Sequence, residues 1–393
     1  MTTFLLTSFT SPSLCLLLRS RSSVPFSPIH LQVLHFHPAS VMRNWKVGAF
    51  SFNGSERRNL VSALDQDGLT DILSTADYKA KEVEDKAELE SLLQNGSCIK
   101  EAWSQFAKRV SGEWDGFGAD FSNEGKAIEL PELVVPEAFR EWEVKLFDWQ
   151  TQCPTLAESE ENILIYKNIL LLPTVGCEAD AATRFKVDER QVGGVNGGVS
   201  AFAYQSSGCY VAVWQKEDKL LELEYCLINP QDPESRVRII QFVRVLDNTN
   251  MVLQSIKVFC EQWYGPFRNG EQLGGCAIRD SAFASTAPMT ASQVAGNWHG
   301  SKAVATIGTS NTGIFHELSG DNILNCVRDG SNEILLPKQL WCSFKRSKDG
   351  EALSEVGWLL DHGQAITSAC LFSSTAKAKE ISIALETKCL EDV

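Results

Sequence analysis

The chain has 393 residues, 36 of them basic and 50 acidic, for a formal charge of −14 at neutral pH. A surface that acidic repels phosphate backbones and anionic lipid heads, which argues against nucleic acid as a partner. Hydrophobic residues make up 44% and charged residues 22%, an ordinary globular balance, and the length exceeds what one core usually serves. Two folded units plus appendages are expected. No apolar run approaches the roughly 18 residues of a membrane-spanning helix, so no transmembrane segment is expected.

Residues 1–55 differ in kind from the rest. They contain ten serines, no acidic residue, and the cations Arg19, Arg21, Arg43 and Lys46; the first acid is Glu56. The short apolar piece from Leu14 to Leu18 precedes the basic residues instead of following them. That order reads as an organellar transit peptide, chloroplast before mitochondrion, with the stroma as destination. The alternative is a tail with no targeting role.

Residues 56–110 form a helical segment. Leu64, Leu69, Ile72 and Leu73 recur mostly at helical steps, and an acidic, lysine-rich stretch then carries Val83, Ala87, Leu89, Leu92 and Leu93. Asp65 to Gly68 (DQDG) hints at a calcium loop, but the rest of the twelve-residue ligand pattern is missing, and a turn or cap is the reading. Trp103, Phe106 and Val110 line the apolar side of a final short helix.

From 111 to 264 the period becomes two. Leu221, Leu223, Tyr225 and Leu227 alternate with Glu222, Glu224 and Cys226, the pattern of a half-buried antiparallel strand. The glutamates are expected on its solvated face. Val237 to Leu246 and Met251 to Trp263 are two more strands about a turn at Asp247 to Asn250, and Ile163 to Leu172 and Val199 to Trp214 add others. The glycines at 193, 194, 197 and 198 read as a flexible turn, because no helix follows to complete a phosphate cradle. Ile128 to Glu161 is an insertion that the alternation does not explain.

Residues 265–290 gain Gly, Ser, Ala and Pro and form a linker, with a short helix near Thr290 to Ala295. The second unit, 291–393, holds eight candidate strands: 299–306, 313–317, 323–328, 332–336, 340–346, 355–361, 365–373 and 380–388. Twelve cysteines are dispersed with no C-x-x-C and no zinc-ligand spacing, so reduced, mostly buried thiols and no metal site are expected.

One device occurs twice. Gly112-Glu113-Trp114-Asp115-Gly116 and Gly296-Asn297-Trp298-His299-Gly300 each follow a helix and precede a strand meander. A large planar side chain entering from a first strand can plug the end of a small barrel, and flanking glycines let the strand bend and the helix pack close. The fold class is therefore mainly β: two antiparallel barrels in tandem after an N-terminal helical segment.

GEWDG and GNWHG resemble the opening motif of calycins, the lipocalin-like barrels. LLPKQLWCSFKR, EVGWLLD and EISIALETK are similar to the end of a calycin group of cyanobacteria and plants. That group includes a largely uncharacterised two-barrel family and the S-type phycobiliprotein chromophore lyases. KLLELEYCLI followed by RVRIIQFVRV resembles the end of the first barrel in the two-barrel family. The likeness runs in patches from about residue 100 to the end. It implies a non-enzymatic protein that binds an apolar small molecule without covalent attachment: a tetrapyrrole, a carotenoid or a lipid. The lyases carry arginines on the strand after the EVGW-like motif, whereas Ala365 to Phe372 has none, so attachment chemistry is not expected.

The residues alone supply no catalytic set. G-x-S-x-G, H-E-x-x-H and the phosphate-loop pattern are missing, and only His299, His316 and His362 lie beyond residue 55. The residues expected to touch a ligand are Trp114, Trp298, His299, Trp358, Tyr204 and Trp214; packing in the core is the alternative for each aromatic. Two rival functions stand beside the carrier: an assembly or interaction factor with filled barrels, and a lyase-like or lipid-modifying enzyme. Residues 1–60 fused to a fluorescent reporter should carry it into chloroplasts of leaf cells; a reporter retained in the cytosol would defeat the targeting assignment.

Overall fold

Alternating apolar and polar side chains turn most of the chain beyond residue 110 into strands. The computed structural model describes residues 101–175, 183–194, 198–246, 250–271, 282–308 and 313–389. The expected transit segment, the expected helical pattern of 60–100 and the expected DQDG turn lie outside the described residues. Helix α1 covers 101–110 with Trp103, Phe106 and Val110 buried, as the spacing requires.

The first sheet has eleven strands. In chain order they are β1 (Glu113–Ser122), β2 (Asp148–Gln152), β3 (Thr155–Glu158), β4 (Ile163–Leu171), β5 (Arg184–Val192), β6 (Val199–Tyr204), β7 (Tyr210–Lys216), β8 (Leu220–Ile228), β9 (Ser235–Leu246), β10 (Asn250–Gly265) and, from far downstream, β12 (Phe315–Glu317). They lie in the order β12-β6-β7-β8-β9-β10-β1-β2-β4-β3, with β5 also on β4. The sheet curls: Tyr166 on β4 reaches Glu224 on β8 at 2.5 Å although four strands separate them in this order. Gly193 and Gly194 carry left-handed backbone after β5, the turn read from their clustering.

The second sheet has seven strands in the order β13-β11-β18-β17-β16-β15-β14. These are β11 (Gly296–Thr306), β13 (Ser319–Arg328), β14 (Ile334–Leu336), β15 (Leu340–Arg346), β16 (Ala352–Leu359), β17 (Gln364–Phe372) and β18 (Ala378–Lys388). All eight expected strands of this half form, but one joins the other sheet. Phe315 to Glu317 pairs in parallel with Phe202 to Tyr204 of β6, and the Phe315 ring lies 5.3 Å from that of Trp103. The mainly β class and the helix before each meander hold. α2 is Glu137–Glu141, and α3, Ala291–Val294, starts at a Thr290–Gln293 capping box.

The two glycine-flanked tryptophans perform the same task. Each indole is buried and donates to the carbonyl four residues earlier: Trp114 Nε1 to Val110 O at 2.9 Å, Trp298 Nε1 to Val294 O at 2.8 Å. The ring thus pins the end of the preceding helix to the first strand of the sheet. The glycines two residues on are dictated by the neighbouring strand, because a Cβ at Gly116 would overlap the Cys260 carbonyl and one at Gly300 the Leu385 carbonyl. The leading glycines, Gly112 and Gly296, have φ of 142° and 128°, a region that side chains avoid.

Both faces of β8 and β9 are buried. Leu221, Leu223, Tyr225 and Leu227 stand opposite Val243, Gln241, Ile239 and Val237 of β9, in the core shared with the second sheet. Tyr225 Oη donates to Ser354 Oγ at 2.6 Å, which donates to Gln241 Oε1 at 2.6 Å. Gln241 Nε2 reaches the carbonyls of Ser343 and Glu355 at 3.4 Å each. Sequence reasoning put Glu222 and Glu224 on a solvated face; they are 8% and 0% exposed. The alternation is right and the environment is wrong, because the polar face of β8 points into the curl of its own sheet.

Trp114→Ala and Trp298→Ala should each cost about 3–5 kcal/mol of stability, the range for a truncated core indole. With one core serving both sheets, each variant should lower a single cooperative transition in calorimetry. Two separate transitions, or an unchanged midpoint, would show that the indoles are not the common peg.

Candidate functional site

The inner face of the first sheet is filled by an ion network. Arg238, wholly buried, bonds Glu224 through Nη1 at 2.9 Å and Glu261 through Nη2 at 2.8 Å. Arg236 bonds Glu261 at 2.7 Å, and its guanidinium lies 4.1 Å from the Trp114 ring centre. Arg190 of β5 closes the other side on Asp188, Glu222 and Glu224 at 2.9, 2.8 and 3.4 Å. Tyr166 and Tyr210 donate hydroxyls to the two oxygens of Glu224 at 2.5 and 3.0 Å.

The network is self-neutralising. Burial alone would raise the Glu224 and Glu261 carboxyls, but the adjoining guanidiniums hold both below the ordinary carboxylate range. Burial and the neighbouring Glu224 charge push the Tyr166 and Tyr210 hydroxyls well above theirs, so both remain donors at physiological pH. Glu224 and Glu261 therefore stay ionised and Tyr166 and Tyr210 stay protonated near neutrality. The arrangement holds the strands of the curled sheet together through paired charges.

Above the network the inner face opens into a cleft of about 400 Å³. Its apolar wall is Leu170, Ile240, Phe242 and Phe259. Lys186, Arg190, Lys216 and Lys257 supply four cations against Asp188 and Glu222. Asn168 also lines it, 7% exposed, and its Oδ1 has no hydrogen-bond partner. The insertion finds its role beside this wall: Leu130, Val134, Val135, Phe139 and Leu146 pack on Trp149, Leu170, Ile240 and Phe259. It covers apolar surface that the curled strands leave open.

The second sheet repeats the theme on a smaller scale. Arg328 meets Glu386 and Glu355 at 2.5 Å each, and Thr367 donates to Glu386. Glu261 faces Gly116 across β1–β10, and Glu386 faces Gly300 across β11–β18. The second glycine of each motif thus lies opposite a buried glutamate held by arginine.

The six residues expected to touch a ligand do not converge on one cavity. Trp114 and Trp298 are the helix pegs, and Trp298 lies 6.4 Å from Trp341. Tyr204 sits in a ring cluster with Trp103 at 5.0 Å and Phe106 at 5.3 Å. Trp358 is half-buried on β16. His299 is exposed, its Nδ1 3.3 Å from Cys389 Sγ. Trp214 alone borders the cleft, beneath Arg190 at 5.3 Å and Lys216 at 5.9 Å. Sequence reasoning missed Arg190, Arg236, Arg238, Glu261 and Asn168. The signal was there: Arg236 and Arg238 alternate on β9 as Glu222 and Glu224 do on neighbouring β8, opposite charges with one period.

Among the described residues no group of three or more His, Cys, Asp or Glu could hold a metal. Cys153, Cys209, Cys226, Cys342 and Cys370 are buried free thiols; Cys260, Cys326 and Cys389 are partly exposed. No helix of the described residues is long and apolar enough to cross a membrane.

No protein-family model matches the chain, and no curated protein matches it. Similar solved structures include a protein of unknown function from the DUF3598 family of Nostoc punctiforme, 14% identical, covering 73% of this chain and 99% of that one with a TM-score of 0.42. Another is the vaccine antigen transferrin binding protein B of Haemophilus parasuis, 7% identical over 72% of this chain and 77% of that one, with a TM-score of 0.16. Likeness at this level carries no argument about activity or ligand.

Asp115, inside the first motif, is 3% exposed. Burial and the neighbouring Glu113 push its carboxyl up to about 7, with a hydrogen bond from Gln152 offsetting part of the shift. The folded state therefore keeps a proton that the unfolded chain loses near pH 4. Stability falls as pH rises from about 4 to 7, and the full cost is present above 7. Asp115→Asn should be more stable than the parent at pH 8, by up to about 2–4 kcal/mol, and nearly equal to it at pH 4. Denaturant melts across pH 4–8 check this; a difference independent of pH would mean that Asp115 is not the titrating group.

Proposed function

We propose that this is a two-barrel, calycin-like protein of the plastid stroma that holds a small molecule non-covalently, the ligand resting in the cleft of the first sheet. The observation that carries this reading is the cleft itself: an apolar wall and cationic rim above a face otherwise filled by paired charges. Its volume lies in the lower part of the range for ligand pockets. Burial of apolar surface against Phe242 and Phe259 provides affinity at about 25 cal/mol per Å². A lipid, or a tetrapyrrole presenting its acidic edge, suits this lining. A carotenoid suits it less, since a wholly apolar body would desolvate the cations without pairing them.

The transit-like composition of residues 1–55 supports the compartment. The paired motifs, each with a helix peg and an opposing buried glutamate, support kinship with the two-barrel calycins. The neutral tyrosines and fully paired carboxylates favour a carrier over a lyase. A second reading, an assembly factor, has its own support in the covering segment, where Leu133 is 92% and Trp142 61% exposed.

Native mass spectrometry of the protein purified from leaf plastids tests the carrier. A single ligand, released intact on denaturation, is the expected result. Ligand-free protein that captures none of a panel of fatty acids, bilins, chlorophyll precursors and carotenoids would overturn it in favour of the assembly factor. A stable adduct formed on a thiol acceptor would instead restore the lyase.

A further inference from the structure

We infer that the cleft selects an amphiphile by an acidic head group that also carries a hydrogen-bond donor. The anion sits among Lys186, Lys216 and Lys257, the donor meets Asn168 and the chain lies on Ile240, Phe242 and Phe259. This rests on reading the cleft as a small-molecule site.

Among the described residues, one cation of the rim is in no ion pair. Arg190 is committed to three carboxylates. Lys216 stands 3.8 Å from Glu222, which already serves Arg190, and Lys257 shares a partly exposed pair with Asp120 at 3.2 Å. Lys186 is exposed, and no ion pair joins it to any described carboxylate. Glu224 and Asp120 join Asp188 and Glu222 as partners of these cations, so on a chain of net charge −14 the cleft is a locally neutral spot at which Lys186 keeps a charge without an ion pair. An anion meets less repulsion there than over the rest of the acidic chain.

Lysines alone would not make a site; Asn168 supplies the independent sign. It stands mid-strand on β4, on the same face as Tyr166 of the network and Leu170 of the apolar wall, and opposite Asp188 of β5. Its buried Oδ1 has no partner, a deficit that a donor on the ligand would remove. A hydroxyl or protonated acid oxygen beside the anion does this; a plain hydrocarbon end does not. Beyond Asn168 the lining is Leu170, Ile240, Phe242 and Phe259, which suits a chain and not a second charge.

The test is isothermal titration of the full chain at low salt with four probes kept below micelle formation. These are 2-hydroxydodecanoate, dodecanoate, dodecyl phosphate and dodecanol. The acids should bind at least about tenfold tighter than dodecanol, with a preference that falls as salt is added. The carboxylate-to-phosphate ratio identifies which acid the rim prefers. The hydroxy acid should bind about fivefold tighter than dodecanoate, an advantage that Asn168→Leu removes while plain dodecanoate binding persists. The pair Lys186→Glu and Lys257→Glu should abolish the acid preference and leave dodecanol unchanged. Should the pair fail to fold, Lys186→Glu alone, at an exposed position, should reduce the preference in the same direction. Dodecanol binding as tightly as the acids, or a preference indifferent to the lysine changes, overturns the head-group inference and leaves the cleft as a site. Failure of all four probes to bind overturns the cleft reading itself, and the inference with it.

Discussion

Two guanidiniums and two carboxylates buried at one end of a curled sheet set the terms for everything around them. Glu224, Glu261, Arg236 and Arg238 are each 4% exposed or less. None could be stripped of water singly without a penalty of several kcal/mol, so their mutual pairing is a condition for the sheet to close over them. The consequences spread outward. Tyr166 and Tyr210 must present hydroxyls to Glu224, which fixes β4 against β8 and so fixes the curl. Arg236 must lie over the ring of Trp114, which is itself tied to the end of α1. A hydrophobic lumen would tolerate many packings; a ring of paired charges tolerates very few.

Much of the fold was legible from periodicity. The strands of the second half, the hairpin of β9 and β10, the capped helix before Trp298 and the apolar side of α1 all follow from spacing and turn chemistry. The paired motif was legible too, because glycine on both sides of a tryptophan has few uses in a strand. Two features were hidden for a definite reason. Alternation reports that a strand has two unlike faces, but not whether the polar face meets water or other charges, so Glu222 and Glu224 were placed outward. Likewise, a three-residue strand such as Phe315 to Glu317 carries no mark of the sheet it will join. Its partner is set by space left beside β6.

The candidate site was the least legible part. Aromatic residues drew attention because ligand-binding barrels use them, yet Trp114, Trp298 and Tyr204 serve packing. The residues that define the cleft are lysines, an asparagine and two phenylalanines from five strands. Each is unremarkable in its own segment. Only the curl brings Lys186 of β5 and Lys257 of β10 to one rim. The expected insertion at 128–161 was equally opaque: its second part supplies β2 and β3 of the first sheet, and the apolar residues of its first part are chosen by the shape of the wall they cover.

The strand exchange also bears on the order in which the chain can be completed. β6 ends at residue 204, yet its outer neighbour is not made until residue 317. While a chain emerges from a ribosome, that edge of the first sheet stays open, with its backbone groups unpaired. Open edges of this kind recruit other strands. The protein must therefore pass its most association-prone interval with more than a quarter of its length complete in one sheet and its final edge strand still to come. A chaperone at the point of emergence would act on that edge first.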